Sequence, residues 1–343
     1  MTEIKKKTLI DSNFTIAPVT TIDNAGYVIQ TFKLEDDKLF LVIYGNHKTK
    51  VYRINYLNKQ VPVKISLMPE DVMLELDAHS AHTQSFAHFW RPDLFTWSEY
   101  HLLGCGPDSY KSKKNDWALG IGEWNPYQSH YDDSLYHVYY LTYFDHVVSN
   151  HEQVQRSEFS VSPDGTHFLL ALNTYDDITK YHNLHLLVYN TDAIIYELSD
   201  CQRFRCPIDY SAKPENHYVY QIDGTDKDKF KLVDLSYNKS LSFQGFAIDN
   251  KKNIYISSEY YPKKIDAAPR NRMLIKISND GRSLEHVDLN AESTFERGLP
   301  NNYLTEFEGI QADDENKVHL MVAYHDFTQN YKTVLNRLFT IKW

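Results

Sequence analysis

The sequence has few of the residues that form disulfides, cross membranes or neutralise phosphate. Its three cysteines, Cys105, Cys201 and Cys206, are an odd number among 343 residues, which argues against a disulfide framework. No apolar run reaches the roughly 18 residues that a membrane-spanning helix needs, so we expect no transmembrane segment. Asp and Glu number 46 against 36 Lys and Arg, for a net charge of −10. We therefore expect no nucleic acid partner, because phosphate binding needs a basic surface.

The N-terminus has basic residues but no apolar segment of the kind that follows them in a secretory signal peptide. Lys5, Lys6 and Lys7 are followed by a mixed polar stretch. We therefore expect a protein that is secreted or released without a recognisable Sec signal, or one that is otherwise cytoplasmic.

Aromatic residues are abundant, at 14% of the chain with 26 tyrosines, whereas long helical periodicity is almost absent. Aromatic and β-branched side chains favour strands, so we expect an all-β protein. All-β folds of this length often form one domain. We expect a single domain over residues 1–343, in which an N-terminal segment of residues 1–25 completes a blade.

A degenerate repeat is the most informative feature of the sequence. Each copy has a Gln or Glu, a short apolar strand, a polar turn and a second apolar strand, and the copies begin at Gln30, Gln84, Glu158, Gln244 and Glu308. Repeats of this length are typical of β-propellers. We predict a β-propeller, most simply five-bladed, with long inter-strand insertions near residues 104–134 and 200–230.

Several segments carry a resemblance to a known family. They are His82-Thr83-Gln84, Ser157-Glu158 before Val161-Ser162-Pro163-Asp164, Gln244–Asp249, Glu308–Gln311, and the C-terminal Met321–His325 with Ile341–Trp343. In these motifs the chain resembles the helveticin J family, the heat-labile class III bacteriocins of lactic-acid bacteria, and the similarity covers most of the chain in the same order. The resemblance implies bactericidal action on related bacteria, but it supplies no catalytic residues.

The repeated polar residues form the candidate ligand-binding site. If the ring closes, they converge at one mouth of the central channel, a concave polar place that suits a ligand or an ion. His82 shares a strand face with Gln84, and His325 follows a strand near the rim. The predicted binding residues are Gln30, His82, Gln84, Glu158, Gln244, Glu308 and His325. The alternative is structural, because a Gln or Glu at a crowded axis can bridge backbone groups or hold ordered water.

Three further interpretations stay open. Glu158 and Glu308 come from different copies and are the candidate carboxylate pair of a glycoside hydrolase, an activity that depends on their separation. Asp77, His79 and His82 offer metal ligands, although the two histidines face opposite sides of an extended strand. We expect no organic cofactor, and a cation held in the channel is a further alternative.

Aromatic residues crowd two insertions, and they suit either sugar stacking or packing of the outer strands. They are Trp117, Trp124, Tyr127, Tyr131, Tyr136, Tyr139 and Tyr140, with Tyr260 and Tyr261 further on. We expect a bacteriocin-like protein that binds a cell-surface glycan or wall polymer of related bacteria through the propeller mouth. The alternatives are a lectin-like propeller without killing activity and a glycoside hydrolase.

Overall fold

The computed structural model of the chain describes most of its strands. The described residues are 5–9, 15–23, 27–35, 37–45, 48–55, 63–77, 85–92, 97–103, 119–123, 137–142, 148–200, 205–207, 213–223, 231–232, 243–260, 271–289, 294–314 and 316–342. His82, Gln84 and the aromatic insertion around Trp117 and Trp124 lie outside these ranges. No helix in them is long and apolar enough to cross a membrane.

Four sheets of four or five mainly antiparallel strands form the blades of a β-propeller. The first blade contains β3 (Val28–Leu34), β4 (Lys38–Gly45), β5 (Lys48–Asn55) and β7 (Val72–Asp77). The second contains β12 (Glu152–Val161), β13 (His167–Asp176), β14 (His182–Asn190), β16 (Asn216–Asp223) and β17 (Lys231–Leu232).

The remaining two blades each include a strand from the N-terminal segment. The third blade contains β18 (Phe243–Ile248), β19 (Ile254–Tyr260), β20 (Asn271–Ile277), β21 (Ser283–Asp288) and β1 (Lys5–Leu9). The fourth contains β22 (Tyr303–Asp314), β23 (Lys317–Asp326), β24 (Lys332–Lys342), β2 (Thr15–Asp23) and β6 (Val63–Ser66). β1 pairs in parallel with β21, and β2 pairs antiparallel with β24, so the start of the chain is hydrogen-bonded to its last third.

The first strand of each blade lies innermost in the ring. β12 packs against β18, β18 against β22, and β22 against β3. The circuit is completed by β8 (Phe86–Pro92), which packs against both β3 and β12. The fold class predicted from the repeat is therefore confirmed.

The predicted number of five blades is wrong, because the part of the chain that the structure describes forms four. The copy at Gln84 leads into a hairpin of only two described strands, β8 and β9 (Trp97–Leu103). A separate three-stranded sheet contains β10 (Leu119–Glu123), β11 (His137–Thr142) and β15 (Arg205–Pro207). In the sequence, residues 104–134 contain many Gly, Pro, Asp and Asn residues, which strands disfavour, and this composition departs from the pattern of the repeat.

The hydrophobic core lies between neighbouring blades. One buried cluster joins the second and third blades through Leu186 and Ile256, and another joins the third and fourth through Tyr255 and Phe307. Because both faces of a blade are covered, its central strands are apolar at nearly every position, as at Phe168–Leu172. The single α-helix of the described residues, α1 (Thr191–Asp200), follows β14 and buries Ile194 against the second blade.

Inner strands approach one another so closely that a side chain is excluded at two positions. A methyl group added at Gly309 would lie 2.8 Å from Cα of Thr31 on β3. One added at Gly245 would lie 3.0 Å from the backbone nitrogen of Ile310 on β22. Both distances are tighter than ordinary van der Waals contact, so glycine is what allows the third, fourth and first blades to meet at the axis.

Substitution of Gly309 by alanine tests this close approach. We expect Gly309→Ala to lower the free energy of unfolding by about 1–3 kcal/mol, because the added methyl group meets the β3 backbone, which can move only with its sheet. The measurement is urea unfolding followed by circular dichroism. The control is Lys332→Ala, an exposed position in the same blade, which should change stability by less than about 0.5 kcal/mol. Equal stability of both variants would contradict the packing.

Candidate functional site

Three of the predicted polar residues occupy the same place in three inner strands. Gln30, Gln244 and Glu308 each lie in a β-bulge, where the pairing of β3, β18 and β22 with the next strand shifts by a residue or two. A bulge leaves the extra residue outside the regular ladder and re-aims its side chain. The repeated Gln or Glu therefore coincides with an irregularity of the backbone at the centre of the ring.

Glu158 stands one position further along its strand than these three. The apolar residue that follows the motif is Phe246 in β18, opposite Ile256, and Phe159 in β12, opposite Leu170. When the four inner strands are aligned on this apolar residue, Glu158 occupies the position that is Gly245, Gly309 or Thr31 in the other three strands. The bulge of β12 lies earlier in the strand, between Val154 and Arg156.

The polar residues of the inner strands are largely buried. Gln30 is 7% exposed, Glu158 4% and Glu308 3%, while Gln244 is partly buried. His82 and Gln84 lie outside the described residues. The described inner-strand groups thus lie within the contact between blades instead of projecting into open solvent.

Glu158 holds three strands together. Its Oε2 accepts a hydrogen bond from the Ser85 hydroxyl, and its Oε1 lies 3.0 Å from Nε of Arg156. The Ser85 oxygen accepts from the Phe159 amide at 2.8 Å, and Arg156 donates through Nη1 to the Phe243 carbonyl at 3.0 Å. Both oxygens of the Glu158 carboxylate thus accept hydrogen bonds, one from Ser85, which directly precedes β8, and one from Arg156 in β12. Because Arg156 also bonds to β18, Glu158 and Arg156 together connect β8, β12 and β18.

Amide side chains join the fourth blade to the first. The Leu34 amide donates to Oε1 of Gln311 at 2.6 Å, and Nε2 of Gln311 donates to the Leu34 carbonyl at 2.9 Å. Asn336 Oδ1 accepts from the Ile29 amide at 3.3 Å, and its Nδ2 donates to the Tyr27 carbonyl at 3.2 Å. These amides extend the hydrogen bonding of the β3 backbone into the neighbouring blade.

A buried ion pair joins the third blade to the fourth. Glu259 and Arg272 are both 2% exposed and face each other across β19 and β20, with Oε1 3.2 Å from Nε. Glu259 Oε2 accepts from the Phe307 amide at 2.6 Å, and Arg272 donates to the Thr305 hydroxyl. No motif in the sequence indicates this pair, because the two residues meet only through the register of a hairpin.

A second unpredicted cluster lies in the second blade. Glu152 Oε1 lies 3.0 Å from Nε2 of His185, whose Nδ1 lies 3.0 Å from Nε2 of His217. When Glu152 is ionised and His185 is in its neutral form, His185 donates through Nε2 and accepts through Nδ1, and His217 then donates through Nε2. The exposed His217 is left with Nδ1 as a hydrogen-bond acceptor.

The environment of Glu152 favours its charged form. Burial acts to raise the pKa of this carboxyl, but hydrogen bonds from Asn183, the Ser149 amide and His185 outweigh burial and lower the pKa from 4.5 to about 2. Burial lowers the pKa of several histidines of the described residues, and these are His167, His182, His217 and His286.

His325 lies apart from the inner strands. It is on β23, the second strand of its blade, opposite Leu304 near the beginning of β22. Its Nε2 lies 3.0 Å from Oε2 of Glu306, and its Nδ1 lies 3.2 Å from the Thr333 hydroxyl. The structure thus separates it from Glu308, which lies further along β22.

The predicted metal ligands Asp77, His79 and His82 fall at the end of β7 and in the residues beyond it. Of these, only the backbone of Asp77 is described. Within the described part of the chain, no group of three or more His, Cys, Asp or Glu side chains is arranged to hold a metal ion.

The fold and the inner-strand motifs define a β-propeller whose blades are joined by side-chain to backbone hydrogen bonds. The sequence profile of the family described as bacteriocin helveticin-J matches residues 17–343, and the chain belongs to that family. A relative named bacteriocin helveticin-J, from Lactobacillus helveticus, is 28% identical over 258 residues, which are 71% of this chain and 72% of the relative.

Two solved structures are similar at low scores. One, titled as the structure of the Dos1 propeller, has a TM-score of 0.29 at 7% identity and covers 86% of this chain. The chain covers 53% of that structure, or about half its length. The other, an uncharacterized protein of Listeria monocytogenes, has a TM-score of 0.26 at 12% identity and covers 93% of this chain and 96% of that one.

Acid should destabilise the protein in two pH ranges. The lowered pKa values of these four histidines mean that the unfolded chain binds more protons, so stability is lost as pH falls below about 6.5. Glu152 adds a second loss as pH falls from 4.5 towards about 2. We expect Glu152→Gln to be less stable at pH 7 by on the order of 2 kcal/mol and to lose less stability than the unchanged protein as pH falls below 4.5, where other carboxylates with lowered pKa values still contribute. Urea unfolding between pH 7 and pH 3 measures both effects.

The exposed Glu70 supplies the control for this experiment. Glu70→Gln should follow the pH profile of the unchanged protein. If Glu152→Gln also followed that profile, the hydrogen bonds to Glu152 would not favour its ionised form as described.

Proposed function

We propose that the protein is a secreted or released bacteriocin that recognises a glycan or wall polymer on the surface of related bacteria through one end of the propeller. The observation that carries the proposal is membership of the helveticin-J family over residues 17–343. The relative from Lactobacillus helveticus bears the name bacteriocin, and this chain matches nearly three quarters of its length.

Physical features support a glycan as the target. The net charge of −10 disfavours attraction to anionic lipid surfaces, which recruit basic segments. Neutral wall polysaccharide carries no such electrostatic penalty. A rigid ring also presents its loops with little loss of conformational freedom on binding, which favours recognition of a repetitive polymer.

The hydrolase alternative would use Glu158 and Glu308. Glu158 has both oxygens occupied by Ser85 and Arg156, a bonding pattern that serves the contact between strands. Among the described residues, the contacts of Glu158 favour this bridging role over a catalytic one, and the binding proposal is therefore the one we retain.

Growth inhibition and wall binding test the proposal together. We expect the purified protein to inhibit growth of at least some lactobacilli on agar and to sediment with their isolated cell walls. Protein unfolded by heat serves as the control and should do neither. Absence of both inhibition and wall binding across a broad panel of lactobacilli, with the fold intact, would contradict the proposal.

A further inference from the structure

A lysine is buried near the end of the first blade's inner strand. Lys33 is the last residue but one of β3 and is only 8% exposed. Among the described residues, its side chain forms no hydrogen bond and no ion pair. Lysine is seldom buried without a partner, because an unsatisfied polar group in the interior costs free energy. An amine of this kind is satisfied by a molecule that comes from outside the chain.

Two carboxylates lie near this amine. Glu35 follows Lys33 by two residues, which in an extended strand places both side chains on the same face. Asp313 comes from the end of β22. Burial lowers the pKa of Lys33, and the charges of Glu35 and Asp313 partly oppose this effect. In the described part of the chain neither carboxylate forms an ion pair with Lys33, so the three groups lie near one another without direct contact.

Hydrogen bonds between β3 and β22 fix the relative positions of these groups. Leu34 lies between Lys33 and Glu35, and its amide and carbonyl bond to the Gln311 side chain at 2.6 and 2.9 Å. Gln311 precedes Asp313 by two residues, and the pairing of β22 with β23 shifts beside Asp313. The joint therefore brings polar side chains of the first and fourth blades together, at the end of the ring where the inner strands finish.

Each carboxylate has one oxygen bonded to the protein. Glu35 Oε1 pairs with Nδ1 of His88, and Asp313 Oδ2 pairs with Nε2 of His319 at 3.3 Å and with Nζ of Lys317. The hydrogen bonds from His319 and Lys317 hold the pKa of Asp313 well below its ordinary value of 3.8, so Asp313 is ionised at neutral pH. Oε2 of Glu35 and Oδ1 of Asp313 accept no hydrogen bond from the described residues and are available to a ligand.

One side of this group is closed by packing, and another is open to solvent. The His88 side chain is buried and lies against Phe40, with ring centroids 4.6 Å apart, and Phe40 is the residue that pairs with Lys33 across the hairpin. In contrast, the side chains of Glu35 and Asp313 are 24% and 37% exposed. A ligand therefore approaches past the two carboxylates towards the buried amine.

We propose that Lys33, Glu35 and Asp313 bind one sugar unit of a neutral glycan. This proposal rests on the proposed function and specifies where the glycan binds. A sugar hydroxyl both donates and accepts, so neighbouring hydroxyls accept from Lys33 Nζ and donate to the open oxygens of the two carboxylates. On binding, the buried amine gains the hydrogen bonds that the described chain does not supply, which favours the complex.

The charges of this group disfavour ionic ligands. A phosphate or carboxylate would approach the carboxylates of Glu35 and Asp313, whereas a metal cation would approach Lys33 and Lys317. An apolar ligand would leave the buried amine unsatisfied. A neutral molecule rich in hydroxyl groups meets none of these penalties, and a sugar is such a molecule.

Substitution of Lys33 by methionine tests the site, because it removes the amine and keeps most of the side-chain length. The probe is the cell wall of Lactobacillus helveticus, freed of protein and teichoic acid. We expect Lys33→Met to sediment with these walls about 10-fold more weakly than the unchanged protein. The variant should unfold at the same or a higher urea concentration, because an unsatisfied buried amine has been removed. A purely structural lysine would give the opposite pattern, with lower stability and unchanged binding.

Lys332 provides the matched control. It is exposed at the start of β24, opposite Asp326, and so lies at the other end of the blade from Asp313. Lys332→Met should bind walls and unfold as the unchanged protein does.

Chemical labelling measures directly whether the ligand reaches the amine. Acetic anhydride acetylates lysine amines, and mass spectrometry of the peptides reports the extent at each lysine. We expect saturating walls to slow acetylation of Lys33 several-fold and to leave Lys332 unaffected, and we expect inorganic phosphate to protect neither. If Lys33 in the free folded protein is not acetylated at all, its amine is closed to solutes and the proposed site is wrong.

The remaining outcomes separate this inference from the proposed function. If the unchanged protein binds walls and Lys33→Met binds them equally well, the site is wrong while the wall-binding function stands. If phosphate protects Lys33 and the walls do not, the ligand class is overturned. If the unchanged protein binds neither stripped nor whole walls, the proposed function fails and this inference fails with it.

Discussion

The close approach of the inner strands is the constraint on which the rest of the structure depends. Where β22 meets β3 and β18, the backbones come within a distance that only glycine tolerates, at Gly309 and Gly245. That proximity lets amide and carboxylate side chains reach the neighbouring backbone, as Gln311 does at Leu34. The apolar clusters between blades are large, but apolar contacts alone do little to determine how the inner strands of neighbouring blades align with one another. Directional bonds at the axis supply that specificity.

Two ion pairs with buried carboxylates lie where neighbouring inner strands or blades meet. Glu158 with Arg156 ties β12 to its neighbours, and Glu259 with Arg272 ties the third blade to the fourth. A buried ion pair is seldom a large net source of stability, since desolvation offsets the attraction, but loss of one partner leaves a costly unpaired charge. The pairs therefore make alternative blade packings unfavourable.

The sequence predicted the architecture better than the details of the site. The repeat of Gln or Glu before an apolar residue located four of the inner strands, because strand alternation and turn residues are local signals. The repeat treated Glu158 as equivalent to Gln30, Gln244 and Glu308, whereas in the structure Glu158 lies one position further along its strand. The spacing of residues alone does not reveal where a β-bulge lies. The repeat also predicted a blade at Gln84, whereas the described residues after Gln84 form only the two-stranded hairpin of β8 and β9. Glu259 and His185 were missed, because each takes part in contacts between residues that are distant in the sequence.

Cross-linking across the axis tests the account most directly. The Cβ of a side chain at position 309 would lie 3.1 Å from Cβ of Thr31, somewhat less than the roughly 3.5–4.5 Å that a disulfide spans, so the bond can form once the two strands move slightly apart. In a protein whose three native cysteines are replaced by serine, Thr31→Cys with Gly309→Cys should form an intramolecular disulfide under mild oxidation, seen as lost thiol titre and altered mobility on a non-reducing gel. Thiols that remain free in the folded monomer would contradict the closed ring.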